Sequence, residues 1–448
     1  MILSKIQERY PRCARYFLRA AEIINNMHSK ISSHPQAAAL SALRLAALSA
    51  FVLVFLGACG GTSSDNVSAT ATPGSKPETL TAAASESKFS PAASLGQKIF
   101  SDQTLSASGR QSCASCHDPA AAHAQTDKLA VPLGGPALDQ PGFRAASSLR
   151  YLNLTPAFYF AADGTPTGGF NHDGRVDTLA KQAQRPFMAP HEMANATTEE
   201  LIGRLQRTTY AEQFRSVFGA AILDQPDAAF ERMVFALQQF QKEDPAFHPY
   251  NSKYDQFLAG RVRLSDAELR GLALFNNPAK GNCAACHPSA KSADGSAPLF
   301  TDFSYDNLGV PRNSAIPATT DPAYFDLGLC GPDRTDLASR TDLCGSFKVP
   351  TLRNVATRKV FFHNGVFSSL EQALRFYVRR DTNPEEWYPM AADGLVDKFN
   401  DLPPAWRRNV NTSEAPYNRQ PGMAPALSEA EISDVIQFLG TLNDGYQP

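Results

Sequence analysis

A Cys-x-x-Cys-His pattern occurs twice in this chain of 448 residues, at positions 113–117 and 283–287. The two cysteines lie one helical turn apart, so both sulfur atoms can reach the vinyl groups of one porphyrin, and the histidine that follows can bind its iron. A zinc site would need further Cys or His ligands at short spacing, and a redox-active dithiol does not need the histidine. The pattern therefore predicts two covalently bound haem c groups. The predicted haem-binding residues are Cys113, Cys116, His117, Cys283, Cys286 and His287.

The composition of the chain restricts its class. The formal net charge is −2, which argues against a surface that binds nucleic acid. Charged residues make up only 19% of the chain, whereas it contains 28 Phe and 13 Tyr. This balance suits domains that enclose large apolar cofactors, and the length allows two or three such domains.

The N-terminal residues have the pattern of a targeting segment. The apolar run 45–58 is too short to span a bilayer comfortably but fits the core of a signal peptide. It ends in Leu-Gly-Ala-Cys, which resembles a bacterial lipobox in which Cys59 becomes the lipidated first residue. We therefore expect residues 1–58 to be a lipoprotein signal peptide, and the protein to be lipid-anchored on the periplasmic side of a bacterial membrane, with the outer membrane favoured. An ordinary signal peptide with an incidental cysteine is the alternative, and translation can start at Met1 or Met27.

Residues 59–90 are mostly Ser, Thr, Ala and Pro, which predicts a flexible tether. Once Cys13, Cys59 and the haem-binding cysteines are set aside, Cys330 and Cys344 remain in a loop-like stretch. In an oxidising compartment this pair is expected to form a disulfide that staples the loop.

An internal repeat organises the rest of the chain. The order Gly-x-x-apolar-Phe precedes both haem motifs, at 96–100 and 271–275. The motifs stand 170 residues apart (113 to 283), too far for two haems inside one small domain. We therefore expect two cytochrome c-like haem domains, at residues 91–250 and 251–448.

Helical signals dominate between and after the haem motifs. Helix starts are predicted at Thr197, Pro226, Ser265 and Ser428. Segments 133–170 and 291–350 are rich in Gly, Pro, Asp and Ser, which predicts long loops of the kind that usually cover a functional site. The predicted fold class is mainly α, with long irregular loops.

The densest patch of candidate acid–base groups between the haem motifs spans residues 169–193. A haem can react with peroxide only if one face is open, and O–O cleavage needs a group that takes a proton from peroxide and returns one to the leaving oxygen. Glu192, His172 and His191 are the candidates in this patch. Each alone is more often an ordinary surface or core residue.

Together, several segments resemble the bacterial dihaem cytochrome c peroxidase and MauG superfamily over residues 95–442. They are Asp173-Gly-Arg175, Gln182, Pro186, Glu192-Met193, 347–354, 362–365 and 370–373. The resemblance implies that the first haem, on His117, is the one that reacts with peroxide. It also implies that Glu192 is the distal acid/base, that Gln182 is its distal hydrogen-bond partner and that Pro186 shapes the pocket.

The resemblance predicts an open first haem. In many family members a distal histidine blocks this haem until the other haem is reduced. The matching position here falls near Leu133, so no histidine stands at the matching distance. His123 is the alternative blocking ligand, and His363 is the remaining loop histidine.

For the second haem the resemblance offers Met or Tyr as the sixth iron ligand. Tyr377 stands at that position, ninety residues after His287, and is the expected ligand. Met390 and Met423 are the alternatives. The choice matters because Met raises a haem potential, whereas a phenolate favours ferric and higher iron states.

This chain departs from the family pattern at two positions between the haems. The aromatic residue before Asp-Gly-Arg, usually Trp, is His172 here, and imidazole is much harder to oxidise than indole. The Asn that binds calcium in the family is replaced by Ala145. Calcium would therefore depend on backbone carbonyl groups near Arg358 and Val360, and it is not favoured.

Three functions are compatible with these features. The first is a periplasmic dihaem peroxidase that reduces hydrogen peroxide with electrons from a small donor, either a c-type cytochrome or a copper protein. The second is MauG-like oxidative modification of a protein substrate through a high-valent dihaem state. The third is a plain electron-transfer cytochrome. No nucleic-acid partner is expected, and a homodimer is allowed because family relatives dimerise.

Overall fold

Helices dominate residues 89–448, the part of the chain that the computed structural model describes. The predicted signal peptide, Cys59 and nearly all of the tether lie outside the described residues. Within residues 89–448 there are ten α-helices, and none is long and apolar enough to cross a membrane. They are α1 (Pro91–Ser101), α2 (Cys113–Cys116), α3 (Leu179–Met188), α4 (Thr198–Leu205), α5 (Ala211–Phe218), α6 (Pro226–Glu243), α7 (Lys253–Leu258), α8 (Asp266–Asn276), α9 (Leu370–Arg379) and α10 (Glu429–Gly440).

Sheet structure in the described region is limited to three antiparallel pairs of two-residue strands. They are β1 (Leu133–Gly134) with β2 (Gln140–Pro141), β3 (Tyr159–Phe160) with β4 (Pro166–Thr167), and β5 (Tyr305–Asp306) with β6 (Phe347–Lys348). In register, Leu133 lies opposite Pro141, Tyr159 opposite Thr167, and Tyr305 opposite Lys348. The predicted fold class, mainly α with long irregular loops, is confirmed.

The Gly-x-x-apolar-Phe repeat marks two equivalent helix crossings. A Cβ atom at Gly96 on α1 would stand 2.1 Å from the carbonyl oxygen of Ala236 on α6. A Cβ atom at Gly271 on α8 would stand 2.0 Å from the carbonyl oxygen of Asp434 on α10. Glycine permits this approach because it has no Cβ. Each copy of the repeat therefore marks one close helix crossing.

Each crossing sits in its own hydrophobic core. One core is built from residues between Leu95 and Phe247, and the other from residues between Tyr254 and Leu442. The repeat phenylalanines Phe100 and Phe275 are 2% and 1% exposed. Full burial of such a side chain contributes about 1.5–3 kcal/mol, so both crossings are anchored by apolar packing.

The predicted helix starts occur where their capping residues stand. Ser265 and Glu268 form a capping box at the start of α8, and Ser428 begins α10 in the same way. The Thr197 side chain caps α4, and Pro226 is the first residue of α6. These four starts confirm that local side-chain chemistry sets the helix boundaries.

A second repeated unit precedes α3 and α9. Phe170 pairs with Val176, and Phe361 pairs with Phe367, each across a tight turn of equal length. After each turn a hydroxyl side chain caps the next helix, Thr178 for α3 and Ser369 for α9. The two halves therefore share a turn and a capped helix in addition to the helix crossing.

The irregular segment 291–350 contains a disulfide between Cys330 and Cys344, the pair for which the sequence predicts one. Both cysteines are buried. Closing a loop of this size restricts the unfolded chain and typically contributes about 2–4 kcal/mol.

We expect Gly96→Ala and Gly271→Ala each to lower the free energy of unfolding by about 1–3 kcal/mol or more, because the new methyl group meets a backbone carbonyl that cannot move without separating the helices. Urea unfolding of the haem-loaded protein measures this change. Gly203→Ala on α4 is the matched control, since only the Arg207 side chain lies within 4 Å of its Cβ. That control should gain up to about 1 kcal/mol from the better helix propensity of Ala. Equal effects at all three glycines would contradict the crossing argument.

Candidate active site

The first Cys-x-x-Cys pair forms the single helical turn α2. The N–H of His117 donates to the carbonyl of Cys113 at 2.9 Å, which holds the histidine beside the two cysteines. Burial lowers the pKa of His117 to about 4, so its imidazole is neutral at neutral pH, the form that can bind iron.

Glu192 lies in the loop after α3, beside this first motif. A Cβ atom at Gly134 would stand 2.8 Å from the Glu192 Cα, and the Gly135 N–H donates to the Glu192 carbonyl at 2.8 Å. The β1–β2 hairpin therefore packs directly against the Glu192 backbone. Burial raises the pKa of Cys113 to about 12 and that of Cys116 to about 11, and the Glu192 carboxylate adds to both increases. Glu192 is thus within electrostatic reach of both thiols.

The environment of Glu192 raises the pKa of its carboxyl group above the ordinary value. Burial raises the pKa of Glu192, Arg185 and Arg175 oppose this increase, and Asp333 adds to it. His191 Nε2 lies 3.7 Å from a Glu192 carboxylate oxygen, but burial lowers the pKa of His191, so the ring is a neutral neighbour. The Glu192 side chain is 38% exposed, which leaves it accessible to a small molecule.

Asp333 lies in the disulfide loop, the segment 330–344 that the Cys330–Cys344 bond closes, and it connects this loop to the site. It stands three residues after Cys330 and pairs with Arg185 at 2.7 Å, while a second contact reaches Arg175 at 3.4 Å. Asp333 thereby partly neutralises the two cations that stabilise the Glu192 carboxylate. The sequence analysis did not identify Asp333, and the neighbouring cysteine was the only signal that could have directed attention to it.

A chain of ion pairs continues inward from Arg175. Asp173 accepts from both Arg175 and Arg144 at 2.7 Å. Arg144 also makes two contacts with Asp326, at 2.6 and 2.7 Å. These pairs join three irregular segments and fix the position of the disulfide loop relative to α3.

Gln182 and Pro186 both lie on α3, four residues apart and so on one face of the helix. Pro186 has no N–H, and the Gln182 carbonyl therefore lacks its usual helical donor. The Pro186 carbonyl accepts from the N–H of Met193 at 3.0 Å, which ties the Glu192 loop to the helix. The structure thus places Pro186 next to the Glu192 loop, and Gln182 one helical turn before Pro186 on the same helix.

The second motif presents a histidine already oriented for a metal. The N–H of His287 donates to the Cys283 carbonyl at 2.9 Å, as in the first motif. His287 Nδ1 lies 2.7 Å from the Phe300 carbonyl oxygen. A ring nitrogen bonded to a carbonyl leaves Nε2 as the coordinating atom, which is the usual arrangement for a metal-binding histidine.

A cavity of about 330 Å³ adjoins this second motif. Cys283, Cys286, His287 and Tyr377 line it, together with Gln182 and His172 from the first half of the chain. Tyr377 lies on α9, and burial raises its pKa. Tyr417 also lines the cavity, with its ring 6.1 Å from that of Tyr377, and sequence reasoning missed it because its segment carries no recognisable motif.

Helices α3 and α9 place different residues at equivalent positions. Pro186 stands eight residues after the α3 cap Thr178, and Tyr377 stands eight residues after the α9 cap Ser369. Tyrosine can bind iron, whereas proline has no group that can. One half of the chain therefore carries a potential ligand where the other half carries none.

Known proteins with similar sequences identify the family. The family profile described as di-haem cytochrome c peroxidase matches residues 90–263. The methylamine utilization protein MauG of Paracoccus denitrificans is 34% identical over 372 residues, which cover 80% of this chain and 89% of that protein.

This chain belongs to the dihaem cytochrome c peroxidase and MauG family. Among solved structures, the diheme peroxidase BthA of Burkholderia thailandensis is 39% identical with a TM-score of 0.73, covering 79% of this chain and 86% of that one. The cytochrome c551 peroxidase of Nitrosomonas europaea is 29% identical over 309 residues, covering 66% of this chain and 76% of that protein. Membership makes this protein a peroxidase-like oxidoreductase with haem c as its cofactor.

The alternative iron ligands, Met390, Met423 and His123, are not among the residues that line the cavity. Met390 and Met423 are 60% and 53% exposed and are not among the residues that line it. His123 is buried, and its ring stacks on Phe247 at 4.0 Å between ring centroids. Leu133, at the position of the family's blocking histidine, lies on β1 and is 42% exposed.

The resemblance places Ala145 where family members have a calcium-binding Asn. Ala145 carries only a methyl group, and its carbonyl lies 3.1 Å from His172 Nε2. Within residues 89–448, no cluster of three or more His, Cys, Asp or Glu side chains could hold a metal ion. His172 thus contacts the segment where the family pattern has its calcium-binding Asn.

In this member of the family, Asp333→Asn should lower the pKa of Glu192, because the two arginines then act on the carboxylate without a nearby counter-charge. Arg185→Gln should raise it. If the reaction with peroxide requires ionised Glu192, the acid limb of its pH–rate profile moves to lower pH in the first variant and to higher pH in the second, by up to about one pH unit.

Asp336→Asn is the control for these two variants, since Asp336 lies in the same loop but pairs with Arg334. Its profile should match that of the parent. A shift of Asp333→Asn and Arg185→Gln in the same direction would contradict the electrostatic assignment.

Proposed function

We propose that this protein is a periplasmic c-type dihaem peroxidase that reduces hydrogen peroxide with electrons from a small redox protein, a c-type cytochrome or a copper protein. The position of Glu192 carries the proposal: an accessible carboxyl group is held by a hairpin beside the first haem motif. The signal-peptide pattern and Cys59 support a location on the periplasmic side of the membrane, with a lipid anchor.

The haem-binding residues are those of the two motifs. Two thiols one turn apart would form the thioether bonds of each haem, and His117 and His287 would each bind one iron. Tyr377 would be the second ligand at the His287 site, which is supported by its place in the cavity beside that histidine. When bound, haem supplies an iron that exchanges electrons and, where one face is open, accepts peroxide.

Glu192 would take a proton from one oxygen of peroxide and return it to the other, so that the leaving oxygen departs as water. A carboxyl group whose pKa is raised by burial suits both transfers. The Gln182 amide can donate a hydrogen bond that orients peroxide, and Pro186 leaves this face without a competing ligand. The overall change consumes two electrons and two protons and yields two molecules of water.

A second function, MauG-like oxidation of a protein substrate, is favoured by Tyr377. A phenolate ligand stabilises oxidised iron and makes the His287 site a weaker source of electrons. The similarity to the Paracoccus MauG protein over 80% of this chain supports the same alternative.

Glu192→Gln should lower the rate of reaction with peroxide by about 10²- to 10⁴-fold, because the amide keeps the size of the side chain but cannot accept the proton. Stopped-flow mixing of the haem-loaded protein with peroxide measures this rate. Glu199→Gln is the control, since this exposed glutamate lies seven residues away on α4. An unchanged rate in Glu192→Gln would remove the basis of the proposal.

The two functions predict different behaviour after peroxide is added. A donor-fed peroxidase turns over steadily with reduced cytochrome or copper protein, and without a donor its absorption spectrum returns quickly to that of the resting protein. An enzyme that oxidises a protein substrate keeps an altered spectrum for minutes without a donor and turns over slowly with one. Absence of both behaviours in protein carrying two haems would leave only electron transfer.

A further inference from the structure

Arg358 is a half-buried cation that has no carboxylate partner among the described residues. Its Nη1 atom is buried and has no hydrogen-bond partner within residues 89–448, and its Nη2 atom reaches only the Arg353 carbonyl, at 3.5 Å. The side chain lines the cavity together with His287 and Tyr377. It also acts on the other motif, because its charge adds to the lowering of the His117 pKa that burial produces. Arg358 therefore lines the same cavity as His287 and lies within electrostatic reach of His117.

The carboxylates nearest to Arg358 are already used. Asp444 accepts hydrogen bonds from Arg150 at 3.0 Å, from the Tyr151 hydroxyl at 2.6 Å and from Asn354 at 2.6 Å. Arg150 thus neutralises the charge of Asp444. The positive charge of Arg358 then has no counter-charge in this part of the described chain.

The positive charge of Arg353, whose carbonyl contacts Arg358, is also neutralised by a carboxylate. Both of its terminal nitrogens bond to Asp255, at 2.8 and 2.9 Å. Burial lowers the pKa of Arg358 to about 10, and Arg150 acts in the same direction, yet the guanidinium stays charged at neutral pH. A charge that is removed from water without a partner is strongly unfavourable. We therefore expect an anion to bind Arg358.

We propose that Arg358 binds a propionate carboxylate of haem between the two sites and supplies the positive charge of that region as a fixed side chain. The inference rests on haem being bound as described under the proposed function. A guanidinium presents paired N–H groups that match a carboxylate, and such charged hydrogen bonds are short and strong. The Ala145 position offers no side-chain oxygen for a metal ion, so Arg358 takes the electrostatic role that calcium would otherwise have.

A cation fixed near both irons has a measurable consequence. Ferric haem carries one more positive charge than ferrous haem, so a nearby guanidinium favours the reduced form at both sites. Arg358→Gln should therefore lower the midpoint potentials of both haems in a spectroelectrochemical titration of the haem-loaded protein. Arg358→Lys keeps the charge and should retain most of the parent potentials.

Lys359→Gln is the matched control, because it removes the same charge from the adjacent, exposed residue. It should leave both potentials unchanged, and so should treatment of the parent with EGTA. Equal potentials in Arg358→Gln and Lys359→Gln would overturn the proposal, as would a shift with EGTA that added calcium reverses. A shift in Arg358→Gln that disappears in chloride-free buffer would identify a bound chloride instead.

Two further measurements keep this test separate from the proposed function. Haem content, measured as the pyridine haemochrome, shows whether each variant carries two haems, and the potentials need no peroxide turnover. If Arg358→Gln fails to incorporate haem, a crystal structure of the parent holoprotein decides the question. A propionate oxygen about 3 Å from the Arg358 guanidinium is expected. A guanidinium that bonds only to protein would contradict the proposal.

Discussion

Asp173 is the buried charge on which the position of the loops depends. Its side chain is 0% exposed, and it accepts hydrogen bonds from Arg144 and Arg175. Its backbone carbonyl accepts a further bond from Arg334 at 2.9 Å. Ion pairs of this kind join the long irregular segments, in addition to buried apolar side chains such as Phe300 and Leu329. Removing the Asp173 carboxylate would take one partner from Arg144 and one from Arg175, and breaking a buried ion pair typically costs about 3–5 kcal/mol.

The features that could be predicted from sequence are those with a local cause. Capping residues such as Ser265, the glycines of the helix crossings and the paired Cys-x-x-Cys-His motifs act within a few residues of themselves. Glu192 and Tyr377 have no such local signature, and only the family resemblance identified them.

Contacts between distant segments could not be predicted in this way. Arg144 and Asp326 are separated by 182 residues, and Arg185 and Asp333 by 148. The local sequence around each of these residues does not indicate its partner, because a surface arginine and a buried arginine have the same local sequence pattern. Arg358 was considered only for its backbone carbonyl, and the burial of its guanidinium became visible only in the folded chain.

The disulfide between Cys330 and Cys344 lies in the same chain as the four cysteines of the two haem motifs. The disulfide cysteines are 7% and 0% exposed, whereas Cys113, Cys116, Cys283 and Cys286 are only partly buried. A reductant that keeps the haem-binding thiols ready for attachment therefore has poor access to the disulfide in the folded chain. Correct assembly in an oxidising compartment requires Cys330 to pair with Cys344 and not with a cysteine of either haem motif, and burial protects that bond once the chain has folded.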